Sequence, residues 1–157
     1  MKTALQILET HWDGKLPVNP VKIAAAMGIR VRGDDSLAES GNIELTEAGP
    51  VITYNSTEAL QRKRFTIAHE IGHFALGHLK PGSPLFRDTP SNFSSQSANT
   101  QERDANSFAA QLLMPSKMVK YAVAEKSITD VDSLAETFGV SQVAMKYRLA
   151  NIGLVHV

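Results

Sequence analysis

The segment FTIAHEIGHFALGHL, Phe65 to Leu79, combines two histidines and an acid at a spacing that suits metal chemistry. Because residues on a helix are about 100° apart, His69 and His73 share one face, and Glu70 lies on its flank. Their neighbours are almost all apolar, which is typical of a buried helix. Buried imidazoles and carboxylates are costly unless they are paired or bound to a cation. The pattern predicts a zinc ion bound by both histidines, with Glu70 beside it to accept a proton from water.

Catalytic zinc takes three protein ligands, so one more donor is needed. The helix predicted at 101–114 offers two acids, Glu102 and Asp104. On a helical wheel Glu102 borders the apolar face, whereas Asp104 falls among polar residues. Glu102 is therefore the predicted third ligand, and the alternative is a surface glutamate favoured by the helix dipole. Asn106, one turn later, is predicted either to orient a ligand or to be polar surface at the core edge.

A carbonyl oxygen that gains negative charge during attack usually needs a hydrogen-bond donor besides the metal. The sequence does not choose among four candidates, which are Tyr54, Tyr121, His78 and His156. His78 lies about 180° around a continuous helix from His69, so it is not expected to bind the same metal. It is predicted to mark the helix end near Gly77, with a contact to substrate as the alternative.

Apolar periodicity and turn residues predict the helices that position these side chains. The predicted helices are 3–12, 21–27, 55–77, 101–114, 116–126, 130–138 and 141–151. Asn55 is expected to cap the third of them, with Glu58 as in a capping box, and Thr100 to cap the fourth. The segment 80–100 is rich in Pro, Ser and Asn. It is predicted to be a long loop that either gates the site or is disordered.

Short strands are predicted at 29–32, 42–45 and 51–54, with a turn at 47–50 between the last two. The strand at 51–54 is a candidate free edge on which an extended substrate would add main-chain hydrogen bonds. Together with the helices, these strands predict the α+β class. The expected architecture is an antiparallel sheet of about three strands packed on several helices, with a helical C-terminal tail.

Composition limits the class of protein. A chain of 157 residues suits one domain over 1–157, and the absence of cysteine excludes disulfides and thiolate metal sites. Equal numbers of acidic and basic residues, 16 of each, argue against strong general attraction to nucleic acid or anionic membranes. Neither a signal peptide nor a membrane-spanning run is recognised, so a cytoplasmic location with no membrane association is expected.

The C-terminal segment 131–157 has the cadence of a helix-turn-helix. A recognition helix beginning at Ser141 would present Gln142, Lys146 and Arg148 to DNA. Because few basic residues lie there and the net charge is zero, direct DNA binding is not the favoured interpretation. The two helices are instead expected to pack on the catalytic core or to dock the substrate.

The motif HEIGHFALGH followed by ERDANSFAAQLLMP resembles the ImmA/IrrE family of zinc metallopeptidases. The preceding strands and the tail LAETFGVSQVAMKYRL also resemble family members; position 104, often Glu or Gln in the family, is Asp here. The resemblance implies a compact zincin-like fold, one zinc ion held by His69, His73 and Glu102, and Glu70 as catalytic base. Manganese is an alternative metal. The implied activity is cytosolic cleavage of a helix-turn-helix (XRE-type) repressor, which relieves repression of mobile-element or stress genes.

Three other interpretations stay open at this point. The chain is alternatively the toxin of a toxin–antitoxin pair with an XRE-type antitoxin. It is alternatively a DNA-binding or regulator-binding module with a structural zinc. The histidine pair can also simply pack or cap the helix. An enzyme is favoured, because a structural zinc would not need Glu70.

Overall fold

The computed structural model describes residues 1–80, 85–89, 93 and 99–154, with the backbone alone for 85–87. The α+β class with C-terminal helices is confirmed, and the predicted helices and strands occur in the predicted order with one additional strand. The elements are α1 Ala4–His11, α2 Pro20–Ala26, β1 Arg30–Asp34, β2 Gly41–Thr46, β3 Gly49–Asn55, α3 Leu60–Ala75, β4 Leu85–Asp88, α4 Thr100–Leu113, α5 Ser116–Ala124, α6 Val131–Phe138 and α7 Gln142–Asn151.

The sheet differs from the expected one in two respects. It has four strands in the order β1-β3-β2-β4, and β1 runs parallel to β3 while the other pairs are antiparallel. The predicted antiparallel sheet is therefore a mixed one, because the second strand of the antiparallel β2–β3 hairpin also pairs in parallel with β1. The prediction that 51–54 is a free edge was wrong, since β3 lies between two neighbours.

The additional strand, β4, falls inside the segment 80–100 that was predicted to be a loop. It pairs with β2 at the sheet edge, so that Asp88 lies opposite Gly41, and Ser40 donates its N–H to the Asp88 carbonyl over 2.9 Å. A run of four residues between Pro-rich and Ser-rich stretches is too short to show a strand period. Its pairing depends on residues more than forty positions earlier, which no local pattern reveals.

Helix α3 is the central element of the fold, and its second half is buried between the sheet and α4. Residues from Thr66 to His73 are all buried, which matches the apolar run in the sequence. At Gly72 the two helices come so close that an added Cβ would lie 3.1 Å from Cβ of Phe108 and 3.2 Å from the carbonyl oxygen of Ala105. The lack of a side chain at this position lets α3 and α4 approach each other closely.

Both predicted helix caps were misplaced. Helix α3 begins at Leu60 after Ala59, without a side-chain cap, whereas Asn55 accepts hydrogen bonds from Thr57 in a turn and Glu58 accepts one from Ser40. Helix α4 is capped by Asn99, whose side-chain oxygen accepts the N–H groups of Gln101 and Glu102. The cap at Asn99 fixes the start of the helix that carries Glu102.

The C-terminal helices are held to the rest of the chain by two arginines. Arg64 of α3 donates to the carbonyl oxygen of Gly139, which joins α6 to α7 with a left-handed φ of 66°. Arg148 of α7 is buried and donates from Nε to the Met114 carbonyl oxygen over 2.9 Å. Arg148 therefore faces the protein interior and is not presented to DNA as a recognition helix would require.

No helix of the described residues is both long enough and apolar enough to span a membrane.

Candidate metal centre

The three predicted ligands meet between α3 and α4. His69 Nε2 lies 3.1 Å from His73 Nε2 and 2.9 Å from one carboxylate oxygen of Glu102. The other oxygen of Glu102 is 3.2 Å from His73 Nε2. The side chains are shielded from water, since His69 and His73 are 0% exposed and Glu102 is 5% exposed. The structure thus brings together residues that lie on separate helices, 33 positions apart for His69 and Glu102.

A fourth donor, Asp88, joins this cluster and was missed in the sequence. Its two carboxylate oxygens lie 3.4 Å from His69 Nε2 and 3.5 Å from His73 Nε2, and it is 0% exposed. The ligand atoms of all four residues lie within 4.8 Å of one another. In the sequence, Asp88 is the only acid between His78 and Glu102. This position alone does not indicate a metal ligand, because the sequence does not reveal that β4 pairs with β2.

Asn106 fixes the orientation of the first histidine. Its side-chain oxygen lies 2.7 Å from Nδ1 of His69, in a buried contact between α4 and α3. Because an amide oxygen only accepts hydrogen bonds, Nδ1 of His69 carries the proton and donates it to Asn106. The other ring nitrogen, Nε2, is thereby directed toward Glu102 and Asp88.

His78 contacts His73 on the side of the ring that faces away from the carboxylates. Its Nδ1 lies 2.9 Å from Nδ1 of His73, the ring nitrogen opposite to the one that faces the carboxylates. On a helix that continued through Gly77, His78 would lie about 180° around the axis from His69. Helix α3 ends at Ala75, and the positive φ of 76° at Gly77 turns the chain so that His78 folds back onto His73.

Glu70 lies beside the cluster, fully buried. Neither of its carboxylate oxygens has a hydrogen-bond donor among the described residues. Burial raises the pKa of Glu70 well above its usual range, and the adjacent carboxylate of Asp88 raises it further. A buried carboxyl of this kind binds a proton more strongly than an exposed one.

The electrostatic potential inside the cluster favours a positive charge. Burial would lower the pKa of His69, but the hydrogen bonds to Asp88 and Glu102 outweigh it and raise that pKa. Burial would likewise raise the pKa of Asp88, but the hydrogen bonds from His69 and His73 hold it far below its usual range. Two carboxylates that converge on two imidazole nitrogens in a buried site are stabilised by a cation between them.

The donor set fits zinc. Zinc binds imidazole nitrogen and carboxylate oxygen at about 2.0–2.2 Å, which puts neighbouring donors of a tetrahedron about 3.3–3.6 Å apart. The separations between these donor atoms, from 2.9 to 3.5 Å, are close to that range. The second ring nitrogen of each histidine also has a partner, as metal-binding histidines usually do.

The remaining candidates are not gathered at this cluster. The Tyr54 ring lies over Gly33 of β1, about 3.0 Å from the place of a Cβ there and two strands away from Asp88. Tyr121 is 45% exposed on α5, and Asp104 is exposed on α4. His156 lies outside the described residues.

A cleft of about 780 Å³ reaches the cluster from the side of the C-terminal helices. Residues of α3, α4 and α7 line it, among them Arg62, Arg103 and Arg148, and none of its described lining residues is acidic. The cleft meets the donor cluster at Asn106, whereas none of the four donors lines it.

Three comparisons place the chain among known proteins. A family model described as the IrrE N-terminal-like domain of a peptidase family matches residues 24–150. The chain is similar to Metallopeptidase ImmA of Bacillus subtilis (strain 168), with 26% identity over 147 residues that make up 94% of this chain and 82% of that protein.

Among solved structures, the fold is similar to a chain described as a Mycobacterium tuberculosis transcriptional regulator, with a TM-score of 0.62 and 21% identity. The match covers 94% of this chain and 44% of the regulator, so this chain spans less than half of that protein. At this identity the likeness concerns the fold alone.

Proposed function

Because the chain belongs to the IrrE N-terminal-like peptidase family, we propose that it is a zinc-dependent endopeptidase that cleaves a helix-turn-helix repressor of the XRE type. The observation that carries the proposal is the buried cluster of His69, His73 and Glu102 with Glu70 next to it. The similarity to Metallopeptidase ImmA supports the same class of activity.

His69, His73 and Glu102 are the residues that would hold the metal. Zinc in such a site supplies Lewis acidity, which polarises a carbonyl group and promotes ionisation of water at neutral pH. Asn106 contributes by positioning, since its bond to Nδ1 of His69 keeps the other ring nitrogen directed into the cluster. His78 is proposed to position His73 in the same way.

Glu70 is proposed to be the general base. Its carboxyl is buried beside the donors, and its raised pKa gives it a higher proton affinity than an exposed glutamate has. It would accept a proton from the attacking water and deliver it to the nitrogen of the leaving amine. Each transfer needs a carboxylate within hydrogen-bond reach of the reacting atoms, and the place of Glu70 on the flank of the histidine face supports that role.

The substrate segment is proposed to lie in the cleft beside Asn106. Three arginines line the cleft and no acid does among the described residues, so an acidic or neutral segment of the repressor fits it better than a basic one. A cleft that opens next to Asn106 would bring a peptide close to the donor cluster from the side of α7.

The decisive experiment uses Glu70→Gln. The zinc-loaded variant, incubated with an XRE-type repressor, should bind zinc as the wild type does but should lose cleavage. Loss of a general base typically costs about 10²–10⁴-fold in rate. The matched control is Glu47→Gln, which removes an exposed acid at the β2–β3 turn and should cleave normally. Unchanged cleavage by Glu70→Gln would refute the mechanism.

One observation favours a second candidate, a regulator-binding module with structural zinc. Structural zinc sites are closed by four protein ligands, whereas catalytic sites keep one position open. The cluster has four donors, since Asp88 joins the three predicted ligands. Whether Asp88 stays bound to the metal therefore distinguishes the endopeptidase from the module with structural zinc.

A further inference from the structure

Asp88 has no role in the proposed mechanism, yet it lies at the centre of the site. Its carboxylate is within 3.5 Å of both histidine nitrogens that would bind the metal. It is fully buried, and it pairs with Gly41, where an added Cβ would lie 3.4 Å from a carboxylate oxygen of Glu70. Asp88 thus adjoins the metal donors and lies near the proposed base.

That location is the one that an attacking water must occupy. Water that is activated for hydrolysis needs contact with the metal and with Glu70 at the same time. The carboxylate of Asp88 is adjacent to both sets of groups, so it and the water compete for one place. None of the four donors lines the cleft, whose lining includes Asn106 next to them.

We propose that Asp88 is the fourth protein ligand of the metal in the resting protein, and that it closes the position that water needs. This inference rests on the proposed zinc endopeptidase function. A centre with four protein ligands is latent, so hydrolysis requires Asp88 to withdraw. The same arrangement explains why an enzyme of this family has a donor set that looks like a structural zinc site.

The position of Asp88 in the fold suits a ligand that can leave. It is the last residue of β4, a strand of four residues at the edge of the sheet. Its backbone pairs with Gly41, the first residue of strand β2, and accepts a hydrogen bond from the N–H of Ser40 next to it. His69, His73 and Glu102, by contrast, lie on two helices packed closely against each other at Gly72.

A spectroscopic test uses the absence of cysteine from the chain. In the cobalt(II)-loaded full-length protein, Asp88→Cys should produce an intense near-ultraviolet thiolate-to-cobalt band, because the new thiolate binds the metal. The matched control is Glu44→Cys, which places a thiol at an exposed position of the neighbouring strand β2 and should give no such band. Cobalt binding by Asp88→Cys without the band would overturn the inference.

A second variant covers the case in which cysteine disturbs the buried site. Asp88→Asn keeps the size of the side chain and removes its charge. Zinc affinity, measured by competition with a chromophoric chelator, should fall at least about tenfold, as losses at metal sites usually do. Azide should perturb the cobalt spectrum of Asp88→Asn and leave that of the wild type unchanged, since only the variant has an open position.

Cleavage of the repressor should be faster with Asp88→Asn than with the wild type at saturating zinc. Slower cleavage, or equal azide binding by both proteins, would overturn the inference. The proposed function fails separately: it requires that the wild type bind zinc and that Glu70→Gln abolish cleavage. The role of Asp88 would be refuted, and the proposed function kept, by the following combination. The wild type cleaves the repressor and binds azide, and Asp88→Asn binds zinc as tightly as the wild type.

Discussion

At the scale of the residue, the site is built from pairs in which one side chain fixes another. Asn106 directs His69, and His78 contacts the ring nitrogen of His73 that faces away from the cluster. Such partners hold metal ligands in position before the metal arrives, which lowers the cost of binding. Helix α4 carries two acids, and their positions distinguish them more than their residue types do. Glu102 is buried in the cluster, whereas Asp104 is exposed.

Replacing these two acids one at a time tests the third ligand. Glu102→Ala should weaken zinc binding by more than the roughly 10–100-fold that loss of an outer partner causes. Asp104→Ala, two residues along the same helix, should leave zinc affinity unchanged. Chelator competition measures both, and equal zinc affinity of Glu102→Ala and wild type would exclude Glu102 as a ligand.

At the scale of the element, the centre depends on how closely α3 approaches α4. Both histidines lie on α3 and Glu102 lies on α4, so the distance between the helix axes sets the distance between the donors. Gly72 allows that approach, because a Cβ there would press on Phe108 and on the Ala105 carbonyl group. Packing at one residue without a side chain therefore controls the geometry of the metal site.

Gly72→Val should separate the two helices. The expected loss is about 1–3 kcal/mol in the free energy of unfolding, because overpacking a tight contact costs that much. Zinc affinity should fall as well, since the donors move apart. Denaturant unfolding and chelator competition measure the two effects. Gln111→Val, at an exposed position of α4, is the control; equal effects of both substitutions would show that the contact at Gly72 does not matter.

How far the sequence predicts this fold differs between elements. Helices α3 and α4 were located from their apolar period, and the site residues on them followed from position on one face. Strand β4 was missed because four residues show no period and its partner lies far away in the chain. That non-local pairing also hid Asp88, and a second one, between β1 and β3, put β3 in the middle of the sheet where a free edge had been predicted.

At the scale of the whole molecule, the candidate metal centre brings together donors from three different elements. Donors from β4, α3 and α4 converge on one point, so a cation there links the sheet edge to both central helices. The C-terminal helices close the other side, where the cleft carries positive charge from three arginines. Metal binding and substrate binding at these two places would both depend on how the same elements are assembled.

Removal of zinc should lower the stability of the whole fold. A ligand that binds only the native state at 100 times its Kd adds about 2.7 kcal/mol. Treatment with a chelator should therefore lower Tm, and added zinc should restore it. His69→Ala protein provides the control, because its Tm should respond little to either treatment. A wild-type Tm that is insensitive to zinc would contradict a metal centre in this position.

Charge in the cleft should affect substrate binding. Arg103→Glu reverses the charge of one lining residue, so KM for an acidic substrate segment should rise while kcat changes little. Lys120→Glu makes the same change on the exposed surface of α5, outside the residues that line the cleft, and should leave KM unchanged. Parallel increases in KM for both variants would point to a general effect of net charge instead.

Gly41 lies where β2, β4 and α3 meet, and the absence of a side chain there has an evolutionary consequence. A Cβ at this position would overlap the methyl group of Thr66 and lie 3.4 Å from a carboxylate oxygen of Glu70. Because Gly41 is also the pairing partner of Asp88, a lineage that acquires a larger residue at 41 has to shift the strand that delivers Asp88. Relatives with a larger residue at position 41 are therefore expected to place the residue at position 88 differently.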